Sequence, residues 1–304
     1  MEFKMPPQFT SVEEALFSVF GAGSKIKTVQ KLAGGDINEA CRLTLSNGKR
    51  VFIKLNNKKN ASFFSAEAAG LAAIAGTKTV RTPEVFGFGS DEEKSGRSFL
   101  MLEFIGEQKP VSDYWETFAC QLSAMHRADA SSFVKDGTYG FVCGNYIGSE
   151  TQINTGCCSW TAFFRDCRLK PQFKRAAAYF DQAERRQIVK LLDHLEDILV
   201  EPEQPSLLHG DLWSGNVIAG HDGNAWLIDP AVYVGHAEAD LAMTELFGGF
   251  PQEFYHTYQE MGLQQEGYRR RKDLYNLYHL LNHLNMFGRS YLLSVKRIIR
   301  EYVQ

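Results

Sequence analysis

Hydrophobic positions follow two different rhythms along the chain. Up to residue 105 they alternate or form short runs bounded by glycine and asparagine; from 106 onward they recur at helical spacing. In the first part, residues 11–20 open with Ser11 and Glu14 ahead of an apolar run, which predicts a capped helix. Strands are predicted at 26–32, 40–45 and 50–54, the last two joined by a turn with Asn47-Gly48 at its centre. Residues 62–71 read as a helix carrying Glu67 among small and apolar neighbours. Residues 82–89 and 97–104 read as a strand pair, with Leu100-Met101-Leu102 as a buried run. In the second part, 113–126 places Trp115, Phe118, Leu122 and Met125 on one helical face. Residues 137–158 read as a long polar loop of the kind that often serves as a lid, and helices are predicted at 160–171, 181–200, from 235 onward and across 275–285. The division implies a nucleotide-binding domain at 1–105 and a helical domain with the catalytic loop and substrate site at 106–304.

Composition narrows the classes. The 304 residues are 44% hydrophobic and 23% charged, ordinary for a globular chain with a sizeable core. A net charge of −3 gives no reason to expect nucleic acid or an anionic membrane as a partner. No apolar run is long enough to span a bilayer, and the start of the chain has no signal-peptide pattern. The cysteines at 41, 120, 143, 157, 158 and 167 show neither C-x-x-C nor zinc spacing, so they read as reduced thiols of a cytoplasmic protein.

The chemistry concentrates in His209-Gly210-Asp211-Leu212-Trp213-Ser214-Gly215-Asn216, which follows the apolar pair Leu207-Leu208. Asp211 and Asn216 have the D-x-x-x-x-N spacing of a kinase catalytic loop. There the Asp reaches the attacking hydroxyl and the Asn oxygen reaches a magnesium ion. Residues 217–219 and 225–228 read as a hairpin with Asp222-Gly223 at its tip, ending at Asp229. The hairpin brings Asn216 and Asp229 together as one amide and one carboxylate for Mg²⁺.

The first domain offers the complementary parts. Gly34-Gly35-Asp36-Ile37-Asn38 forms a glycine turn between strands, where backbone amides can approach phosphate. On its own a Gly-Gly pair marks only a turn, and neither G-x-G-x-x-G nor a P-loop is present. Lys54 ends the strand V-F-I-K, and Glu67 lies on the next helix, the order of the pair that positions nucleotide phosphates in kinases. Glu103-Phe104-Ile105 leaves the last strand where a hinge between lobes belongs, with backbone groups able to read an adenine edge. His126 is expected to bond backbone near the active loop, and Asp240 to anchor that loop or a helix start. His279 and His283 share a helical face without the H-E-x-x-H pattern, so they read as a polar seam.

Taken together, L-L-H-G-D-L-W-S-G-N at 207–216, I-D-P-A at 228–231, G-H-A-E-A-D-L-A-M at 235–243, L-F-G-G-F-P at 246–251 and L-N-H-L-N-M-F-G at 281–288 resemble the fructosamine/ketosamine-3-kinases. So do G-G-D-I-N at 34–38 and W-T-A-F-F at 160–164, and the matches span nearly the whole chain. The resemblance implies an α+β, two-lobed protein-kinase-like fold, within the aminoglycoside-phosphotransferase-like superfamily. Its N-lobe would be a small antiparallel sheet with one main helix, and its C-lobe larger and mostly helical. It implies ATP- and Mg²⁺-dependent phosphorylation of the sugar 3-hydroxyl of ribulosamine, erythrulosamine or fructosamine adducts, leading to deglycation. By matching position, Asp211 resembles the proton acceptor and Asn216 and Asp229 the magnesium ligands. Lys54 and Glu67 resemble the phosphate-positioning pair, and 103–105 the hinge. Trp213, two residues beyond the base, would form an apolar platform for the sugar. Some members carry a redox-active cysteine in the glycine loop, where this chain has Asp36.

Two rivals remain open on the sequence. One is a small-molecule kinase for another alcohol, such as an aminoglycoside or amino alcohol. The other is a nucleotide-binding pseudoenzyme, against which the base, the metal ligands and the lysine all speak. The lack of D-F-G and A-P-E argues against a protein kinase regulated through an activation loop.

Overall fold

The computed structural model describes residues 3–32, 38–57, 60–91 and 95–303. By packing, the chain forms two compact units, one of residues 1–114 with 216–230 and one of 115–215 with 231–304. The sequence pattern places its boundary after residue 105; the packing carries the first unit on to Tyr114 and returns the 216–230 segment to it.

The first unit is a six-stranded sheet with two helices. Its strands are β1 (Gln8–Phe9), β2 (Ile26–Lys31), β3 (Glu39–Leu45), β4 (Arg50–Asn57), β5 (Val85–Asp91) and β6 (Arg97–Glu103), in the order β1-β5-β6-β4-β3-β2. All neighbours are antiparallel except β1 and β5. β1 is too short for a periodic signal, and its pairing depends on Gly89, where a Cβ would lie 1.8 Å from the Phe9 carbonyl oxygen. Helix α1 (Val12–Phe20) starts as expected: the Ser11 hydroxyl accepts from the Glu14 N–H at 3.1 Å. The Glu14 carboxylate reaches back to the Thr10 N–H at 2.7 Å.

Successive strand residues face opposite sides of the sheet. Leu43, Leu45, Val51, Ile53, Phe99 and Met101 therefore pack on the side of Ala15 and Leu16. Phe88, Leu100 and Leu102 pack on the other side with Phe64, Ala68 and Leu71 of helix α2 (Ala61–Thr77). Fully burying a side chain such as Phe64 is worth about 2–3 kcal/mol. The alanine-rich face of α2 lets the helix lie close on the strands. The same alternation puts Lys54 on the α2 side, one residue after Ile53 on the α1 side.

The 216–230 segment forms the expected hairpin, Val217–Ala219 against Ala225–Leu227, with Val217 opposite Leu227. It is tied to the rest of its unit by Gln108 N–H to the Ala219 carbonyl (3.1 Å), Val111 N–H to Gly223 (3.1 Å) and Leu227 N–H to Arg81 (2.8 Å). Arg81 also pairs with Asp222 and lies over the Trp226 ring.

The second unit is mostly helical. Its helices are α3 (Tyr114–Arg127), α4 (Trp160–Phe163), α5 (Lys170–Arg175), α6 (Gln182–Asp193), α7 (Ala237–Thr244), α8 (Gln252–Glu260), α9 (Tyr268–Phe287) and α10 (Leu292–Val303). A π-helical stretch, Phe164–Leu169, joins α4 to α5, so the helix expected to end at Pro171 runs on to Arg175. Phe118, Leu122 and Met125 of α3 are buried as their spacing requires, and Trp115 and Phe118 pack on Phe250 and Phe254. Helix α6 ends at Asp193, well short of residue 200, because His194 leaves helical geometry and a short 3₁₀ turn follows.

Candidate active site

Within the first unit the structure brings three of the predicted residues together. Lys54 comes from β4, Glu67 from α2 and Asp229 from the end of the hairpin. The Lys54 ammonium donates to Glu67 Oε1 at 2.7 Å and also to Asp229 Oδ1. Lys54 and Glu67 are nearly buried, whereas half of the Asp229 side chain is exposed. Burial works against the lysine's charge, but the two carboxylates outweigh it and hold the ammonium protonated above its ordinary range. Burial pushes the Glu67 carboxyl up to about 7; Lys54 pulls it back, and the Asp229 charge adds to the rise.

Asp229 has φ of 53°, the left-handed region that a non-glycine residue seldom adopts. Strained backbone of this kind persists where the surrounding structure fixes it. Next to it, the Ile228 N–H donates to the Asn216 carbonyl at 3.1 Å, so Asn216 and Asp229 lie at the open end of one hairpin. Among the described residues no group of three or more His, Cys, Asp or Glu side chains could hold a metal ion. The pair at the hairpin end offers one amide oxygen and one carboxylate, both hard donors. That suits Mg²⁺, which takes its remaining ligands from phosphates and water.

Asn38 receives a hydrogen bond from the Asn56 amide at 2.6 Å. Gly34, Gly35, Asp36 and Ile37, expected to approach phosphate, lie outside the described residues. Of the expected hinge, Glu103 is the last residue of β6, its N–H given to the Glu84 carbonyl at 2.9 Å. Phe104 lies under the Arg42 and Arg50 guanidinium groups, and Ile105 is half-buried.

Within the second unit, the apolar strand Ser206–Leu208 pairs with Tyr233–Gly235 and delivers the loop that carries Asp211. The loop is fixed from beneath by Asp240. This buried carboxylate, in the first turn of α7, accepts from the His209 N–H at 2.7 Å and the Gly210 N–H at 2.9 Å. His126 Nε2 lies 3.2 Å from the same carboxylate, and its Nδ1 lies 2.7 Å from the Tyr258 hydroxyl. The His126 side chain thus acts through Asp240, where a bond to backbone was expected. Burial opposes the Asp240 charge, but these donors hold its carboxyl below the usual range. Gly210 has φ of +80°, and a Cβ there would lie 2.1 Å from the Ala231 carbonyl oxygen. The Asp211 N–H donates to His209 Nδ1 at 3.3 Å, and its side chain is half-buried. Trp213 is 38% exposed and meets the Phe247 ring edge-on.

A buried amide network that sequence reasoning missed supports the strand after the hairpin. Asn145 donates to the Val232 carbonyl at 2.6 Å and Gln152 to Ala231 at 2.9 Å. Asn154 links Asn145 to the fully buried Arg168, whose guanidinium stacks on Tyr233 with its carbon 3.9 Å from the ring centre. These groups pin the 137–158 stretch, which reads as a loop because its two strands, Asn145–Ile147 and Glu150–Gln152, are only three residues each. His283 bonds the His279 carbonyl through Nδ1 at 2.8 Å, and burial lowers the pKa of both rings, that of His279 to about 3.

The comparisons with known proteins agree with one another. The family model described as fructosamine kinase matches residues 8–304. The chain is 36% identical over 306 residues to the probable ketoamine kinase slr1563 of Synechocystis sp., covering 99% of both chains. It is 36% identical to the chloroplastic protein-ribulosamine 3-kinase of Arabidopsis thaliana, over 93% of this chain and 85% of that one. A candidate fructosamine-3-kinase from Haemophilus somnus superposes with a TM-score of 0.83 at 31% identity, covering 97% of each chain. The aminoglycoside phosphotransferase APH(4)-Ia, at 16% identity and a TM-score of 0.60, covering 97% of this chain and 98% of that one, shares the fold. This chain belongs to the fructosamine kinase family and is a phosphotransferase of the kinase-like α+β fold, with a β-sheet N-lobe and a helical C-lobe.

Proposed function

We propose that this protein transfers the terminal phosphoryl group of ATP to the 3-hydroxyl of a ketosamine, a ribulose-, erythrulose- or fructose-type sugar carried on an amine. The observation that carries the reading is Lys54 held between Glu67 and Asp229. An ammonium fixed in a nearly buried position before substrate arrives loses little on reorganising around phosphate oxygens, and phosphoryl transfer is mostly positioning and charge neutralisation. Lys54 would steady the nucleotide phosphates, Glu67 would hold Lys54, and the 34–38 turn would approach the phosphates through backbone amides. Residues 103–105 would read the adenine edge, and the first unit as a whole would serve as the nucleotide lobe.

Asn216 and Asp229 would hold Mg²⁺, which when bound neutralises phosphate charge. Asp211 would accept the proton of the attacking hydroxyl, in a backbone geometry fixed by Asp240. Trp213 would give the sugar an apolar surface. Phosphorylation makes the sugar 3-oxygen a far better leaving group than hydroxide, so the product can lose phosphate and release the amine. Free thiols at all six cysteines suit a reducing, cytoplasmic site of action.

The test is mass spectrometry of ribulosyl-lysine and fructosyl-lysine incubated with the protein, ATP and Mg²⁺. A phosphate mass increment on either supports the reading. ATP binding with no increment on any ketosamine overturns it.

A further inference from the structure

Beyond Trp213 the second unit carries a run of aromatic rings with no role in the phosphoryl-transfer scheme. Phe247 meets Trp213 at 6.4 Å between centroids and 79° between planes. His283 packs on Phe247 at 4.9 Å, on Phe287 at 5.4 Å and on Tyr291 at 5.1 Å. The rings come from the loop after α7, the last turn of α9 and the turn that follows it. Two of them are open to solvent, Trp213 at 38% and Phe287 at 57%. Burial lowers the pKa of His283, and its Nδ1 bond to the His279 carbonyl works in the opposite sense. Trp213 is two residues from Asp211 on the same loop, so the rings begin close along the chain to the predicted base.

We infer that Phe247, His283, Phe287 and Tyr291 form the subsite for the amine-bearing half of the substrate, an aliphatic ammonium chain of the lysine type. This rests on the ketosamine reading above. In a ketosamine the nitrogen is on the carbon two away from the one bearing the 3-hydroxyl. It is a secondary amine, cationic near neutral pH, with an alkyl chain running away from the sugar. With the 3-hydroxyl at Asp211 and the sugar against Trp213, that chain has to leave past the neighbouring surface. Aromatic faces attract a cation through their quadrupoles and also bury its methylenes. Burial disfavours a second positive charge on the imidazole in their midst.

The experiment compares two ketosamines with one sugar, ribulosyl-lysine and the ribulose adduct of methylamine, using wild type, Phe287→Ala and Phe287→Trp. Phe287 is exposed at a helix end, so its replacement leaves the core intact. The expected result is that Phe287→Ala raises KM for the lysine adduct roughly two- to five-fold more than for the methylamine adduct, with kcat little changed, and that Phe287→Trp restores the difference. Equal effects on both adducts, or no effect, overturn the inference.

A second readout does not depend on catalysis. Hexylammonium should bind wild type more tightly than hexanol, followed by titration calorimetry, and Phe287→Ala should lose that preference. Equal binding of the neutral alcohol marks a plain apolar patch, and a change confined to self-association marks a contact between copies; either overturns the inference. If no ketosamine is phosphorylated yet hexylammonium shows the expected preference, the ketosamine reading fails while the cation subsite stands.

Discussion

Burial of the Glu67 carboxyl outweighs the pull of the Lys54 ammonium, and the Asp229 charge adds to the effect. The Glu67 carboxyl is raised from the ordinary 4.5 to about 7, so the fold favours the protonated form. The sign follows from linkage: this contribution to stability is fully present below 4.5 and is lost as pH rises toward about 7. Thermal melts over that range should show wild type losing stability relative to Glu67→Gln, which cannot ionise. Parallel melting curves for the two proteins would contradict the assignment. Lys54 and Glu67 were legible in the sequence because strand alternation and the following helix fix their side of the sheet. The contact of Lys54 with Asp229 was not, since 175 residues separate them and no local pattern records the pairing.

At the scale of the element, the Asp211 loop depends on a carboxylate elsewhere in the sequence. Asp240 takes two loop N–H groups and His126, all buried. Asp240→Ala strands those donors and should destabilise the protein by roughly 3–5 kcal/mol, read from denaturant melts. Because the Asp240 carboxyl is lowered in the fold, its contribution is present above the ordinary carboxylate pKa and is lost as pH falls through the lowered one. Gly210→Ala meets both a left-handed backbone and the Ala231 carbonyl, so it should cost several-fold in kcat even where the protein still folds. Unaltered turnover would contradict the loop geometry. The loop and hairpin could be read from spacing and turn chemistry, and the capped α1 from Ser11 and Glu14. The π-helical stretch at Phe164–Leu169, the buried Arg168 and the strand pair within 137–158 could not. Their signal is tertiary: amides and a guanidinium satisfied by partners distant in the chain.

At the scale of the whole molecule, the chain crosses between its two compact units more than once. The hairpin packs with the sheet unit through Arg81, Gln108 and Val111, although it follows the catalytic loop directly in sequence. Native-state hydrogen exchange should therefore show the Leu227, Gln108 and Val111 amides opening together with the strands of the first unit. Exchange in step with α9 instead would contradict the division. The resemblance in the sequence identified the family because its motifs run almost end to end, whereas the return of 216–230 to the first unit needed the packing itself.

Transfer to the 3-hydroxyl can be followed by phosphorus NMR of ribulosyl-lysine incubated with the protein, ATP and Mg²⁺. A phosphomonoester signal coupled to the sugar proton at carbon 3 should appear first, followed by inorganic phosphate and free lysine. With Asp211→Asn, formation of the ester should slow by about 10²–10⁴-fold while nucleotide affinity is retained. An ester at another hydroxyl, no ester at all, or full turnover by Asp211→Asn would contradict the proposed function.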